Sequence, residues 1–134
     1  MITSKKTLLI TLLVCFGMTF YLPLQAQDLE NKVEKMITQG AADALAELFS
    51  DPVDLKIGNK EGVFSADHSR MALKKFFREN PPKSFEINHR GNSSEGSFAI
   101  GTYECNDGGS YQIYFLMRSE AKSPEVMQFF VEED

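Results

Sequence analysis

The segment SFAIGTYECNDGGSYQIYFLMR, Ser97–Arg118, decides how this chain is read. Its middle, CNDGGS, is a turn signal, because Asp107, Gly108 and Gly109 tolerate the positive φ that tight antiparallel connections require. The flanking runs are rich in β-branched and aromatic residues, so Ser97–Cys105 and Tyr111–Arg118 are expected to form a hairpin. Working outward, Phe85–Arg90 and Val126–Glu132 have the same character. The loops that separate them from the hairpin are short enough for antiparallel neighbours. Closing each loop symmetrically pairs Arg90 with Ser97, Cys105 with Ser110, and Arg118 with Val126.

Strand side chains alternate between faces, so this pairing carries a prediction about sides. One face collects Phe85, Ile87 and His89 with Phe98, Ile100 and Thr102. It continues through Ile113, Phe115 and Met117 to Met127, Phe129 and Val131. That face is expected beneath helices. The opposite face holds Tyr103, Tyr114, Leu116 and Phe130 among polar residues and Cys105, with the Tyr114 ring expected to cover Gly101. These four apolar residues form a patch suited to pairing with a second copy.

Upstream, Leu29, Val33, Met36–Ile37, Ala41, Ala44–Leu45 and Leu48–Phe49 recur at helical spacing. Asp28 can cap the start, Gln39–Gly40 breaks the run into two helices, and Pro52 ends it. Val53–Ile57, the turn GNKEG and Val63–Phe64 read as a short hairpin. Ser65 is the expected N-cap of a helix reaching Asn80, with Met71, Leu73, Phe76 and Phe77 on its buried side. Pro81–Pro82 stops that helix.

The first residues have the form of an export signal: Lys5 and Lys6, an apolar run over Thr7–Leu22, then LQA before Gln27. Bulky Val14 before Cys15 opposes lipoprotein processing. The expected division is therefore a signal over 1–26 and one domain over 27–134, delivered to the periplasm or secreted. Removal of Lys5 and Lys6 lowers the basic count from 14 to 12 against 19 acids, and the net charge from −5 to −7. That balance opposes nucleic acid and anionic membrane as partners. Cys105 is then the sole thiol, so no internal disulfide can form.

The order helix, helix, hairpin, helix, four strands resembles the nuclear transport factor 2-like, or cystatin-like, fold. The segment ITQGAADALAELFSDPVDL looks like that superfamily's broken helix and first strand. GNKEGVFS and FFRENPPKSFEINHRG…IGTYECNDGGSY look like an uncharacterised family of small exported bacterial proteins. The resemblance implies an α+β domain, a curved antiparallel sheet wrapped around N-terminal helices. It also implies a superfamily containing enzymes similar to ketosteroid isomerase, scytalone dehydratase and limonene epoxide hydrolase beside binding and dimerisation modules. Fold does not choose among them.

Chemistry chooses more. The expected inner face contains no carboxylate, and its polar members are His89 and Thr102. A general base needs an orienting partner, and none is supplied there. The expectation is a non-enzymatic exported domain without cofactor or metal. It would bind a small apolar ligand through His89, Thr102 and Phe98, bind a protein, or pair with itself through the outer face. The alternative is an isomerase, dehydratase or hydrolase using His89 as base in the cone cavity.

Overall fold

A computed structural model describes residues 24–118 and 123–134. The expected export signal over 1–26 lies outside the described residues except for 24–26, which open the first helix. Helix α1 spans Leu24–Gln39, α2 Ala42–Glu47 and α3 Ala66–Glu79. The strands are β1 Phe49–Ile57, β2 Lys60–Phe64, β3 Pro82–Asn92, β4 Ser97–Cys105, β5 Ser110–Arg118 and β6 Glu125–Glu133.

Leu29, Val33 and Ile37, each four residues apart, give α1 its buried stripe. The helix ends where expected, at Gly40, whose φ of +63° suits a residue without Cβ. The Gly40 N–H donates to the Ile37 carbonyl and the Ala41 N–H to the Met36 carbonyl, a Schellman closure that lets α2 start in a new direction. Ser65 caps α3 by accepting from the His68 N–H at 3.2 Å. The buried side of α3 is Ser69, Ala72, Leu73, Phe76 and Phe77. Met71 is 66% exposed, contrary to expectation. It stands two positions from Leu73, about 200° around the helix, so the two cannot share a face.

The strand order is β2-β1-β6-β5-β4-β3 in one curved, open sheet. This corrects the expectation of a purely antiparallel sheet: β1 runs parallel to β6, which joins the β1–β2 hairpin to the rest. β1 also begins at Phe49 rather than beyond Pro52. The ladder to β6 shifts between Phe49 and Asp54, and Pro52, which has no N–H to give, sits in that gap.

The β5–β6 register is the one expected: Ile113 faces Val131 and Phe115 faces Phe129. A bulge then sets Met117 opposite Val126 and removes Met127 from the core. β4 is turned over. The CNDGGS connection closes on three residues rather than four, with Cys105 N–H donating to Gly109 O at 2.8 Å and Gly108 at φ +91°. Gly101 consequently faces Ile113, and Tyr103 faces Tyr111. One residue of register reverses every side chain of the strand. Ala99, Gly101, Tyr103 and Cys105 point at the helices, while Phe98, Ile100 and Thr102 point away.

In β3 the ladder shifts between Ile87 and His89. Asn88 is the extra residue of a bulge, so Asn88 and His89 both turn to the outer side. Phe85 and Ile87 stay with the core, and Arg90, past the bulge, returns to the helix side. The Gly101 gap is filled by the Phe85 ring from within, not by Tyr114.

Candidate functional site

Between the helices and the sheet, Val33, Ile37, Leu45 and Leu73 share one cluster with Ile113, Phe115 and Phe129, all 0% exposed. Polar groups enter this layer at one end, where Asn80 follows α3. The Tyr103 hydroxyl donates to the Asn80 carbonyl at 2.5 Å, and the Tyr111 hydroxyl donates to Asn80 Oδ1 at 3.1 Å. Asn80 Nδ2 donates in turn to the Phe76 carbonyl at 3.2 Å. The Phe76 ring lies 5.4 Å from Tyr103 and 5.2 Å, edge-on, from Tyr111. This network fastens the end of α3 to β4 and β5.

Burial pushes the Tyr103 phenol well above its ordinary value, with Cys105 and Tyr111 adding to the effect. Burial likewise raises Tyr111, and raises Cys105 with help from Asp107. At neutral pH these are uncharged groups with filled hydrogen bonds or apolar surroundings, the opposite of an activated base or nucleophile.

The linkage has a definite sign. A raised folded-state pKa means the fold holds the proton more tightly than the unfolded chain, so its contribution is complete below the ordinary value and drains away above it. Stability should therefore fall as pH climbs past about 9 for Cys105 and 10 for the tyrosines. Tyr103→Phe should flatten that alkaline decline while costing about 1 kcal/mol at neutral pH for the lost hydrogen bond. Urea titrations between neutral and strongly alkaline pH check both. Parallel declines in the two proteins would contradict the assignment.

Arg90 meets Glu30 of α1 at 2.5 Å at the rim of the helix side. Sequence spacing did not reveal this pair, because it depends on the bulge at Asn88. His89 is exposed on the outer face opposite Ile100, so it is not in a cavity beneath the helices. Thr102 and Phe98 are on the outer face with it. Thr102 Oγ1 accepts from Asn88 Nδ2 at 2.6 Å. The three residues expected to hold a ligand thus share a face, but the open one. Of the four expected to form a pairing patch, Tyr114, Leu116 and Phe130 are on that open face. Tyr103 is not; it is 0% exposed under α3.

The outer face is ordered in cross-strand rows. One row runs His89, Ile100, Tyr114, Phe130, Lys56 across β3, β4, β5, β6 and β1. The next runs Gly91, Phe98, Leu116, Gln128, Asp54 across the same strands. The Tyr114 ring lies 5.9 Å from Phe98 and 5.5 Å from Phe130, the latter stacked at 25°. Leu116, on the same face, is 2% exposed. Ile100, Tyr114 and Phe130 with Gln112, Gln128 and Glu132 line a shallow hollow of about 310 Å³. Lys56 and Glu132 neutralise each other at 2.8 Å at its margin. Phe98 and Ile100 belong to this surface because β4 faces the opposite way from the symmetric-loop expectation. A three-residue loop ending on Gly108 was the available signal.

Among the described residues no group of three or more His, Cys, Asp or Glu could hold a metal ion. No described helix is long and apolar enough to cross a membrane.

Residues 30–132 match the family model described as a domain of unknown function, DUF4783. The chain belongs to the DUF4783 family. Two solved DUF4783 proteins share its fold. The one from Bacteroides uniformis ATCC 8492 is 23% identical, with a TM-score of 0.70, 78% of this chain covered and 95% of that one. The one from Bacteroides ovatus ATCC 8483 is 21% identical, with a TM-score of 0.69, 77% of this chain covered and 93% of that one. A domain of unknown function with a cystatin-like fold from Nostoc punctiforme PCC 73102 is 7% identical, with a TM-score of 0.64, 85% of this chain covered and 80% of that one. No curated protein matches. This DUF4783 chain thus has the expected α+β cystatin-like architecture, an open sheet with helices on one face.

Proposed function

We propose that this DUF4783 protein works outside the cytoplasm as a non-catalytic domain that pairs with a second copy through its outer sheet face. The observation that carries the reading is the row Ile100–Tyr114–Phe130, backed by Phe98 and Leu116, on a sheet face opposite the helices. Its centre is aromatic and uncharged, and its margins are polar. That is the anatomy of a protein contact, in which charge is depleted from the core and Tyr and Phe are enriched. The sheet's free edges offer less. β2 is five residues long, and β3 carries a bulge and charged side chains, devices that discourage strand addition. Beneath the helices, the filled core and the neutral tyrosine network favour support over catalysis.

Sedimentation velocity at micromolar concentration, on protein purified from the cells that make it, tests the pairing. A dimer is expected for the wild type, and a monomer of unchanged circular dichroism for Tyr114→Glu and Phe130→Glu. The chain is acidic, so added salt should strengthen the pair by screening repulsion between copies, whereas capture of a basic partner would weaken. A wild type that stays monomeric at every concentration and salt would sink this reading.

A further inference from the structure

One helix runs against the charge of the chain as a whole. α3 carries Arg70, Lys74, Lys75 and Arg78 against Asp67 and Glu79, within a sequence of net charge −5. Arg70, Lys74 and Arg78 recur every four residues and so share the side of α3 that meets α2. Their countercharges run short. Asp43 of α2 serves two of them through one oxygen, Lys74 at 3.1 Å and Arg70 Nε at 3.6 Å. The second contact is too long for a hydrogen bond, and the buried Arg70 Nε has no acceptor among the described residues. Arg78 forms no ion pair among the described residues.

Beside this row, between the α1–α2 break and the second half of α3, lies a groove of about 570 Å³. Lys74 and Arg78 line it from α3, and Gly40, Ala41 and Ala44 line it from the other side, with the mostly buried Phe77 ring adding apolar surface. The α2 side thus offers no side chain larger than a methyl group and leaves room for the backbone of another chain. The groove is open to solvent rather than sealed, which suits a segment of a larger partner better than an enclosed small molecule.

We infer that this groove takes an acidic segment of a partner protein, with carboxylates on Lys74 and Arg78 and a small apolar side chain against Phe77 and Ala44. Guanidinium groups bind carboxylates through paired charge-assisted hydrogen bonds, and clustered cations are a recurrent way of reading acidic motifs. The negative charge of the rest of the chain steers such a segment to this one cationic place. The same charge disfavours nucleic acid, whose dense phosphates would meet repulsion from the surrounding surface. The groove lies on the helix side of the sheet, so this contact and pairing through the outer face can form or fail independently.

The test uses a labelled Glu-Glu-Leu-Glu-Glu peptide, with Lys-Lys-Leu-Lys-Lys and an oligonucleotide of equal negative charge as comparisons, read by fluorescence polarisation at low salt. The wild type is expected to bind the acidic peptide alone, and more weakly as salt is added. Lys74→Glu and Arg78→Glu should each weaken binding by at least about tenfold. Ala44→Leu fills the groove without touching its charge and should weaken binding too. Asp43→Asn should tighten it by about threefold, because it removes the exposed carboxylate that competes for Lys74. A role limited to holding α2 on α3 could only loosen it. Lys60→Glu makes the same change of net charge on β2, outside the groove, and should leave binding within about twofold of the wild type. Circular dichroism confirms the fold of each variant. A wild type that does not bind the acidic peptide, an equal loss from Lys60→Glu, a weaker Asp43→Asn protein, or an oligonucleotide bound as well as the peptide would each overturn the inference.

Discussion

Phe129→Ala should lower stability by about 3–5 kcal/mol, a large share of what a domain of this size has to lose. The ring is 0% exposed and sits on β6 at the junction of the sheet. Its ladder partners are Phe115 on β5 and Leu55 on β1, and its centroid lies 5.3 Å from that of Phe49. Truncation removes the transfer energy of the ring and leaves a cavity lined by groups from both halves of the sheet, which no single side chain can refill. Thermal unfolding should drop by at least about 15 °C. The next residue supplies the control. Phe130→Ala changes the outer face, so its effect on unfolding should be under about 1.5 kcal/mol while its effect on pairing is large. Equal stability losses at the two positions would mean that the sides of β6 are misassigned.

Gly101→Ala should cost about 2–3 kcal/mol, an unusual result for the addition of one methyl group in a strand. A Cβ built there falls 2.6 Å from two carbons of the Phe85 ring and 2.7 Å from the Glu86 carbonyl oxygen. The ring could turn aside only by giving up its place in the core, and the carbonyl belongs to the neighbouring strand. Had Gly101 faced outward, alanine there would have been neutral or mildly stabilising, since glycine weakens strands. Chemical denaturation of this one variant therefore decides the orientation of β4. A midpoint equal to or above that of the wild type would refute it.

These orientations mark where the sequence was legible and where it was not. β5 and β6 were legible because Gln112, Gln128 and Glu132 mark the outer side against Ile113, Phe115, Phe129 and Val131, although Tyr114, Leu116 and Phe130 share that outer side. The break at Gly40, the Ser65 cap and the stop at Pro81–Pro82 were legible for local reasons, each residue fixing its own backbone. β4 offers no such contrast: Phe98 and Ile100 on one side compete with Ala99, Tyr103 and Cys105 on the other. Its orientation rests on whether a glycine-rich turn closes on three residues or four. In β3 the alternation is broken in mid-strand by Asn88, and a bulge leaves no mark in hydrophobic periodicity. The outer surface inherited both errors. Tyr114, Leu116 and Phe130 face outward as expected, Tyr103 faces the helices instead, and Phe98 and Ile100 join the outer side.

The sheet order has a consequence for how the chain reaches its native state. β6 comes last among the strands yet lies between β1 and β5, so contacts such as Lys56–Glu132 span 76 positions. Until β6 is in place β1 has only β2 and α3 as neighbours, and Phe49 and Leu55 lack the Phe129 ring they pack against. Local helices and hairpins can form early, but collapse into a finished domain must wait on the slowest kind of encounter, a distant parallel pairing. Through that interval the unfinished chain offers an open ribbon edge, which is where premature aggregation or chaperone capture would act.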